Sequence, residues 1–280
     1  MNLGGIFEQA INNADKHITT EPCDYLDDEG LLVCGHCHTR KQRKIELFGN
    51  TKTVSCLCKC GTEKREEEKE EIKRQEKEQR INRLRKMGFP ETDMSHCTFE
   101  FDDNQNPKVT AMAKKYVDNF KEIKENGSGL ILFGNVGSGK TFISACIANE
   151  LISRGYPCLV TNFSRLTNTI IGMNKGRQEY IDGLNKFDLL VIDDLGAERE
   201  TEYMGEIVHS IIDSRYRLNL PLIITTNLTM QDLTNPKDIR KQRIYSRLLE
   251  ICVPIQIHGT DKRNQKRKDN YAFMKKTLNV

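Results

Sequence analysis

The sequence predicts an α/β chain: a parallel sheet flanked by helices, preceded by a small cysteine-rich module and a charged helical linker. Three observations carry that expectation. From residue 130 onward, short apolar runs alternate with segments of helical spacing, the rhythm of a parallel sheet covered on both faces. One such run, Leu130-Ile131-Leu132-Phe133, leads directly into Gly134-Asn135-Val136-Gly137-Ser138-Gly139-Lys140-Thr141. Ahead of both lies a cluster of cysteines between residues 34 and 60, followed by a stretch dominated by Glu, Lys and Arg.

Composition narrows the class. A length of 280 residues suits one sizeable domain and a smaller one. Charged residues make up 30% of the chain and the mean hydropathy is -0.59. No run of about 18 apolar residues is present, so no membrane span is expected. Met1 to Ala14 lacks the basic stretch and apolar block of a secretory leader. Ten cysteines without such a leader suit a reducing, cytoplasmic compartment, where clustered cysteines more often hold metal than pair. The net charge of +3 is too small to require a nucleic-acid partner.

Near the start, Leu3, Ile6, Phe7, Ala10 and Ile11 share one face of a short predicted helix. Cys34-Gly35-His36-Cys37 and Cys58-Lys59-Cys60-Gly61 then read as the two knuckles of a zinc ribbon, with four thiolates around one Zn²⁺. Cys58 and Cys60 are taken as the second pair because Gly61 eases the turn. Cys56 competes with them, and His36 or His38 is an alternative ligand. So short a module buries little core, and the metal would supply its folding energy. It is placed at residues 1–61. Residues 62–94 are the linker, where intermixed charges with few apolar points describe a solvated helix. Gly88-Phe89-Pro90 ends it.

The main domain is placed at residues 95–265. A helix is expected from Asn106-Pro107 to about Lys124, with Ala111, Ala113, Tyr116, Val117 and Phe120 inward. Strands are expected at 130–133, 158–163, 188–194, 221–227 and 251–257, with helices at 142–151, 198–218 and 242–250. Residues 266–280 form a basic tail. Tyr271 and Phe273 interleave there with lysines and arginines, so the tail either binds phosphates and stacks bases or is simply solvated. Cys23, Cys97, Cys146, Cys158 and Cys252 read as packing residues.

The glycine stretch fits the phosphate-loop template G-x-x-x-x-G-K-[ST] at every fixed position, between a strand and a helix that opens at Phe142. Its amides and the helix N-terminus would cradle a polyphosphate. Lys140 would reach the β- and γ-phosphates of ATP and Thr141 would bind Mg²⁺. Asp193 and Asp194 end an apolar strand; Asp193 is expected to hold Mg²⁺ through water and Asp194 to polarise the attacking water. Asn227, closing the strand run Ile223-Ile224-Thr225-Thr226, could sense the γ-phosphate. Arg243 and Arg247 share a helix face, and an arginine set against a neighbouring subunit's nucleotide acts as a finger. Their alternative is plain surface exposure. Arg263 is a weaker candidate for a nucleotide contact in cis.

The runs G-N-V-G-S-G-K-T, L-L-V-I-D-D-L-G, I-I-T-T-N-L and R-I-Y-S-R-L, in this order, resemble the AAA+ ATPases of the DnaC/DnaI type, loaders of the bacterial and phage replicative helicase. The resemblance covers roughly residues 95–265. It implies that Asp193 and Asp194 are Walker B, Asn227 sensor 1, Arg247 the arginine finger and Arg263 sensor 2. It further implies single-stranded DNA as a ligand, a DnaB-type ring helicase gripped by the amino-terminal module, and self-assembly on that ring. The ATPase would be slow and partner-stimulated, because a finger in trans acts only in an assembly. A cysteine module on a charged linker also resembles loaders of Firmicutes and their phages. The same core resembles the IstB-like ATPase helpers of transposases, and a zinc-dependent DNA-binding regulator is a third reading.

Overall fold

The computed structural model describes residues 20–47, 49–90, 94, 96–103, 105–196, 202–259 and 262–278. The helix expected around Leu3 to Ile11 lies outside them. The chain divides into two compact units, Met1–Glu78 and Gln79–Val280.

In the first unit β1 (Tyr25–Leu26) pairs antiparallel with β2 (Leu32–Val33), and β3 (Gln42–Leu47) with β4 (Asn50–Ser55). Among its described residues the buried apolar side chains are Leu31, Val33, Cys34, Val54 and Cys58. A buried ion pair between Lys41 Nζ and Asp24 Oδ2, at 2.6 Å, ties the segment before β1 to the start of β3. Helix α1 (Lys59–Gly88) begins inside the second cysteine pair, three residues earlier than the charge pattern suggests. Its residues 62–70 and 72–78 are exposed, as their charges require. Ile81 and Leu84 instead pack on the core of the second unit, and a Cβ on Gly88 would come within 2.7 Å of the Cys158 carbonyl oxygen. Those contacts place the last turns of α1 in the second unit.

The second unit is built on a five-stranded sheet in the order β6-β7-β8-β5-β9. The strands are β5 (Gly129–Phe133), β6 (Cys158–Asn162), β7 (Leu189–Leu195), β8 (Leu222–Thr226) and β9 (Cys252–Gln256), and every pairing is parallel. Alternation along these apolar runs feeds both faces. Leu130, Leu132, Leu189, Val191 and Ile223 meet α2 (Pro107–Asp118), α3 (Phe120–Glu125) and α4 (Lys140–Ser153). Ile131, Phe133, Leu190, Ile192 and Ile224 meet α5 (Phe163–Gly172), α6 (Arg177–Leu184), α7 (Glu202–Arg217), α8 (Met230–Thr234) and α9 (Ile239–Ile251).

One helix differs from expectation. The single helix expected over 106–124 is broken at Asn119, whose backbone N–H and side-chain Nδ2 both bond the Lys115 carbonyl. An asparagine that competes for helix carbonyls in this way favours a break. The helix expected over 198–218 is present over Glu202–Arg217, and its expected start lies outside the described residues. The basic tail is helical, α10 (Lys262–Leu278), and all of its described side chains are exposed, Tyr271 at 71% and Phe273 at 64% among them. Between α6, β7 and β8, the buried guanidinium of Arg215 donates to the carbonyls of Phe187 at 2.7 Å, Asp188 at 3.3 Å, and Pro221. Burial pulls its pKa down to about 10. Carbonyls at the starts of β7 and β8 thereby gain a buried donor.

Candidate functional site

The cleft lies at the carboxyl end of the sheet, where open α/β folds bind ligands. β5 is buried throughout and delivers the chain into the glycine loop. Gly134 has no room for a side chain: a Cβ there would sit 2.2 Å from the Ile257 carbonyl oxygen. Gly139 caps α4 in the left-handed region, φ 95°, so the first turn of α4 opens onto the loop. Val136, Gly137, Gly139, Lys140, Thr141, Phe142, Asp193, Asp194 and Asn227 line one cleft of about 310 Å³.

Within it the polar groups are tightly connected. Lys140 is buried and donates to the carbonyls of Gly134 at 3.0 Å and Asn135 at 2.8 Å, and to Asn227 Oδ1 at 2.8 Å. The Thr141 hydroxyl reaches Asp193 Oδ1 and Oδ2 at 2.8 and 3.0 Å. Burial raises the Asp193 pKa, while hydroxyl bonds from Thr225 and Thr141 pull it back. A divalent cation would hold that buried carboxylate ionised, and a hydroxyl beside a carboxylate is the hard-oxygen set Mg²⁺ takes. Ser138 Oγ is buried in the loop with no hydrogen-bond partner among the described residues. An unpartnered hydroxyl in the same loop as a buried lysine fits a phosphate-binding loop.

Sequence reasoning passed over Thr225 and Thr226. Thr225 Oγ1 bonds Asp193 Oδ1 and accepts the Asp194 amide at 3.0 Å. Their β-branched character marked both as strand residues, and nothing local marks the direction in which their hydroxyls point.

Arg243 and Arg247 are not among the residues that line this cleft. Arg247 donates to His209 Nε2, pairs with Asp213 Oδ1 at 3.1 Å and lies over Tyr216 at 5.9 Å. Burial, and then the Arg247 charge, lower the His209 pKa and favour the neutral imidazole that accepts this bond. Arg243 is exposed. The Arg263 side chain lies outside the described residues.

In the first unit the thiols of Cys34, Cys37, Cys58 and Cys60 lie within 4.8 Å of one another. Cys34 Sγ and Cys60 Sγ are 3.7 Å apart. Four sulfurs at about 2.3 Å from one tetrahedral zinc stand about 3.8 Å apart, so this set fits the metal. The Gly61 amide donates to Cys58 Sγ at 3.4 Å, as a knuckle requires. The Cys37 pKa is lowered to about 5, first by the Thr39 hydroxyl, and that of Cys60 is raised to about 12, first by Cys37. Thiols this close cannot all ionise without a cation among them. Cys56 turns away to the Arg40 carbonyl at 3.5 Å, and His38 Nδ1 meets the Tyr25 hydroxyl at 3.2 Å.

A glycine loop before a helix, an acidic strand end and a polar strand end on one parallel sheet define a P-loop nucleotide-binding domain. The chain belongs to the family of IstB-like ATP binding proteins, whose family model matches residues 62–270. Among curated relatives it is 27% identical over 212 residues to the replicative helicase loader DnaI of Bacillus subtilis (strain 168), covering 70% of this chain and 67% of DnaI. It is 29% identical over 146 residues to the replicative helicase loader DnaC of Escherichia coli (strain K12), covering 50% of this chain and 58% of DnaC. It also resembles a crystal structure of DnaI, with a TM-score of 0.50 and 29% identity over 61% of this chain and 92% of that one. Among the described residues, no helix is long and apolar enough to cross a membrane.

Proposed function

We propose that this chain is an ATP-controlled loader that delivers a ring-shaped replicative helicase onto single-stranded DNA. The observation that carries the reading is the likeness to DnaI, which extends over 70% of the chain, far beyond the phosphate loop. ATP binds the glycine loop through Lys140 and the amides from Gly134 to Thr141, with Phe142 behind them. Thr141 and Asp193 hold Mg²⁺, which neutralises charge on the phosphates. Asp194 orients the attacking water and Asn227 reads the γ-phosphate from its place beside Lys140. Cys34, Cys37, Cys58 and Cys60 hold Zn²⁺, and the module they fold is the proposed grip on the helicase. Co-purification with a DnaB-type helicase tests this reading: a complex that forms with ATP and weakens with ADP supports it. No complex in either state would contradict it.

Arg247 is proposed to act on the nucleotide of a neighbouring subunit, which makes hydrolysis slow until subunits assemble. Arg247→Ala should then bind nucleotide normally and lose the helicase-stimulated part of turnover. Undiminished stimulation would contradict this role. For single-stranded DNA we propose α10, whose Arg267, Lys268, Lys275 and Lys276 are exposed beside Tyr271 and Phe273. Basic side chains track phosphates, and exposed rings stack bases. Removing residues 266–280 should weaken oligonucleotide binding and flatten its salt dependence; an unchanged slope would count against α10.

The IstB-like family match leaves room for a second reading, a helper ATPase for transposition. Turnover stimulated by a transposase, with no helicase complex, would select it.

A further inference from the structure

The ladder between β7 and β8 runs in register from Leu190 opposite Leu222 to Ile192 opposite Ile224, then resumes at Leu195 opposite Thr226. Two residues, Asp193 and Asp194, therefore face one, Thr225. This is a β-bulge, and bulges near sites re-aim side chains at the expense of local ladder bonds. Those bonds have to be made some other way, because the strands are buried.

Two threonine hydroxyls make them. Thr225 is fully buried. Its oxygen accepts the Asp194 amide at 3.0 Å and its proton goes to Asp193 Oδ1. Thr226, also fully buried, donates to the Leu195 carbonyl at 2.7 Å and accepts the Leu228 amide at 3.1 Å. Asp194 is held meanwhile at φ 59°, in the left-handed region that non-glycine residues rarely adopt. Its backbone angle fixes where the Cα–Cβ bond points, and so where the carboxylate enters the cleft.

We infer that Thr225 is a positioning residue that sets both carboxylates of the site with one hydroxyl, by closing the Asp193–Asp194 bulge. The inference rests on the ATPase reading above. A hydroxyl has one proton to give and lone pairs to accept with, so threonine or serine fits both bonds. Valine has the same shape and fits neither. It would leave the Asp194 amide without this acceptor and strip Asp193 Oδ1 of one of its two hydroxyl contacts, the other being Thr141 at 2.8 Å. Relaxation of the bulge then swings Asp194, and a misplacement of about 1 Å at a reacting centre costs on the order of 100-fold in rate. Packing alone predicts the reverse order, with valine tolerated and serine impaired by its missing methyl.

The test uses the full chain with Thr225→Val and Thr225→Ser. Thr225→Val should keep KM for ATP within about threefold and lower kcat by about 10- to 100-fold, while Thr225→Ser recovers most of the loss. Amide hydrogen exchange of the peptide spanning Asp194 should be fast in the valine variant and near wild type in the serine variant. Thr225→Cys, a poor hydrogen-bonding group of similar size, replaces valine should that variant prove insoluble. Normal kcat in the valine variant, or equal losses in both variants, overturns the inference. Should the wild type hydrolyse ATP no faster than Lys140→Ala, the ATPase reading fails separately. Exchange at Asp194 then still decides the clamp: faster in valine alone supports it, and no change overturns it.

Discussion

Lys140→Ala is expected to lower ATP affinity by about two orders of magnitude or more and to abolish turnover, with the fold intact. The argument starts from burial. Lys140 opens α4 and its ammonium is held by two loop carbonyls and Asn227. These oxygens hold the ammonium at the loop, where it is placed to meet the phosphates. Asn227 gains a second reason to matter, because phosphates that draw Lys140 away must change its contact with β8. Stability should change little, since alanine is the best helix former. The loop carbonyls border an open cleft where water can replace the lost donor. Titration with a fluorescent ATP analogue checks this; wild-type affinity in the alanine variant would remove Lys140 from the site.

The second large effect concerns the cysteine module. Replacing Cys37 by Ser, or removing metal with a chelator, is expected to release one zinc per chain and unfold the first unit. Structural zinc contributes roughly 10–16 kcal/mol of apparent binding free energy in small zinc-finger peptides. Whole domains are stable by only about 5–15 kcal/mol. Among the described residues of this unit the buried apolar side chains are Leu31, Val33 and Val54 beside two of the thiols, a small source of stability next to the metal. The second unit has its own two-faced core, so ATP binding should survive chelation. Dispersed amide resonances from β3 and β4 in metal-free protein would contradict the structural role of the metal.

What the sequence displayed and what it hid have a common physical cause. The phosphate loop was legible because its chemistry resides in residue identities at fixed local spacing. The strands were legible because buried parallel strands are continuously apolar. The Asp193–Asp194 bulge was hidden, since it exists only in the register of β7 against β8, which no local pattern records. Thr225 therefore read as an ordinary strand residue. Spacing alone could not separate Cys56 from Cys58 and Cys60. The structure gathers Cys58 and Cys60 with Cys34 and Cys37, because α1 starts early and folds Cys60 into its first turn while Cys56 faces Arg40. Arg247 was singled out by its helix face, but its engagement with His209 and Asp213 depends on how α9 packs on α7. The break at Asn119 turned on one side chain competing for a single carbonyl.

The most direct measurement of the central claim is helicase capture on closed circular single-stranded DNA. A closed ring cannot thread onto a closed circle unless something opens it. With this chain and ATP, the replicative helicase should be retained on the circles, and with Lys140→Ala or no nucleotide it should not. Equal retention with and without the chain would contradict the account, and so would capture that ignores nucleotide.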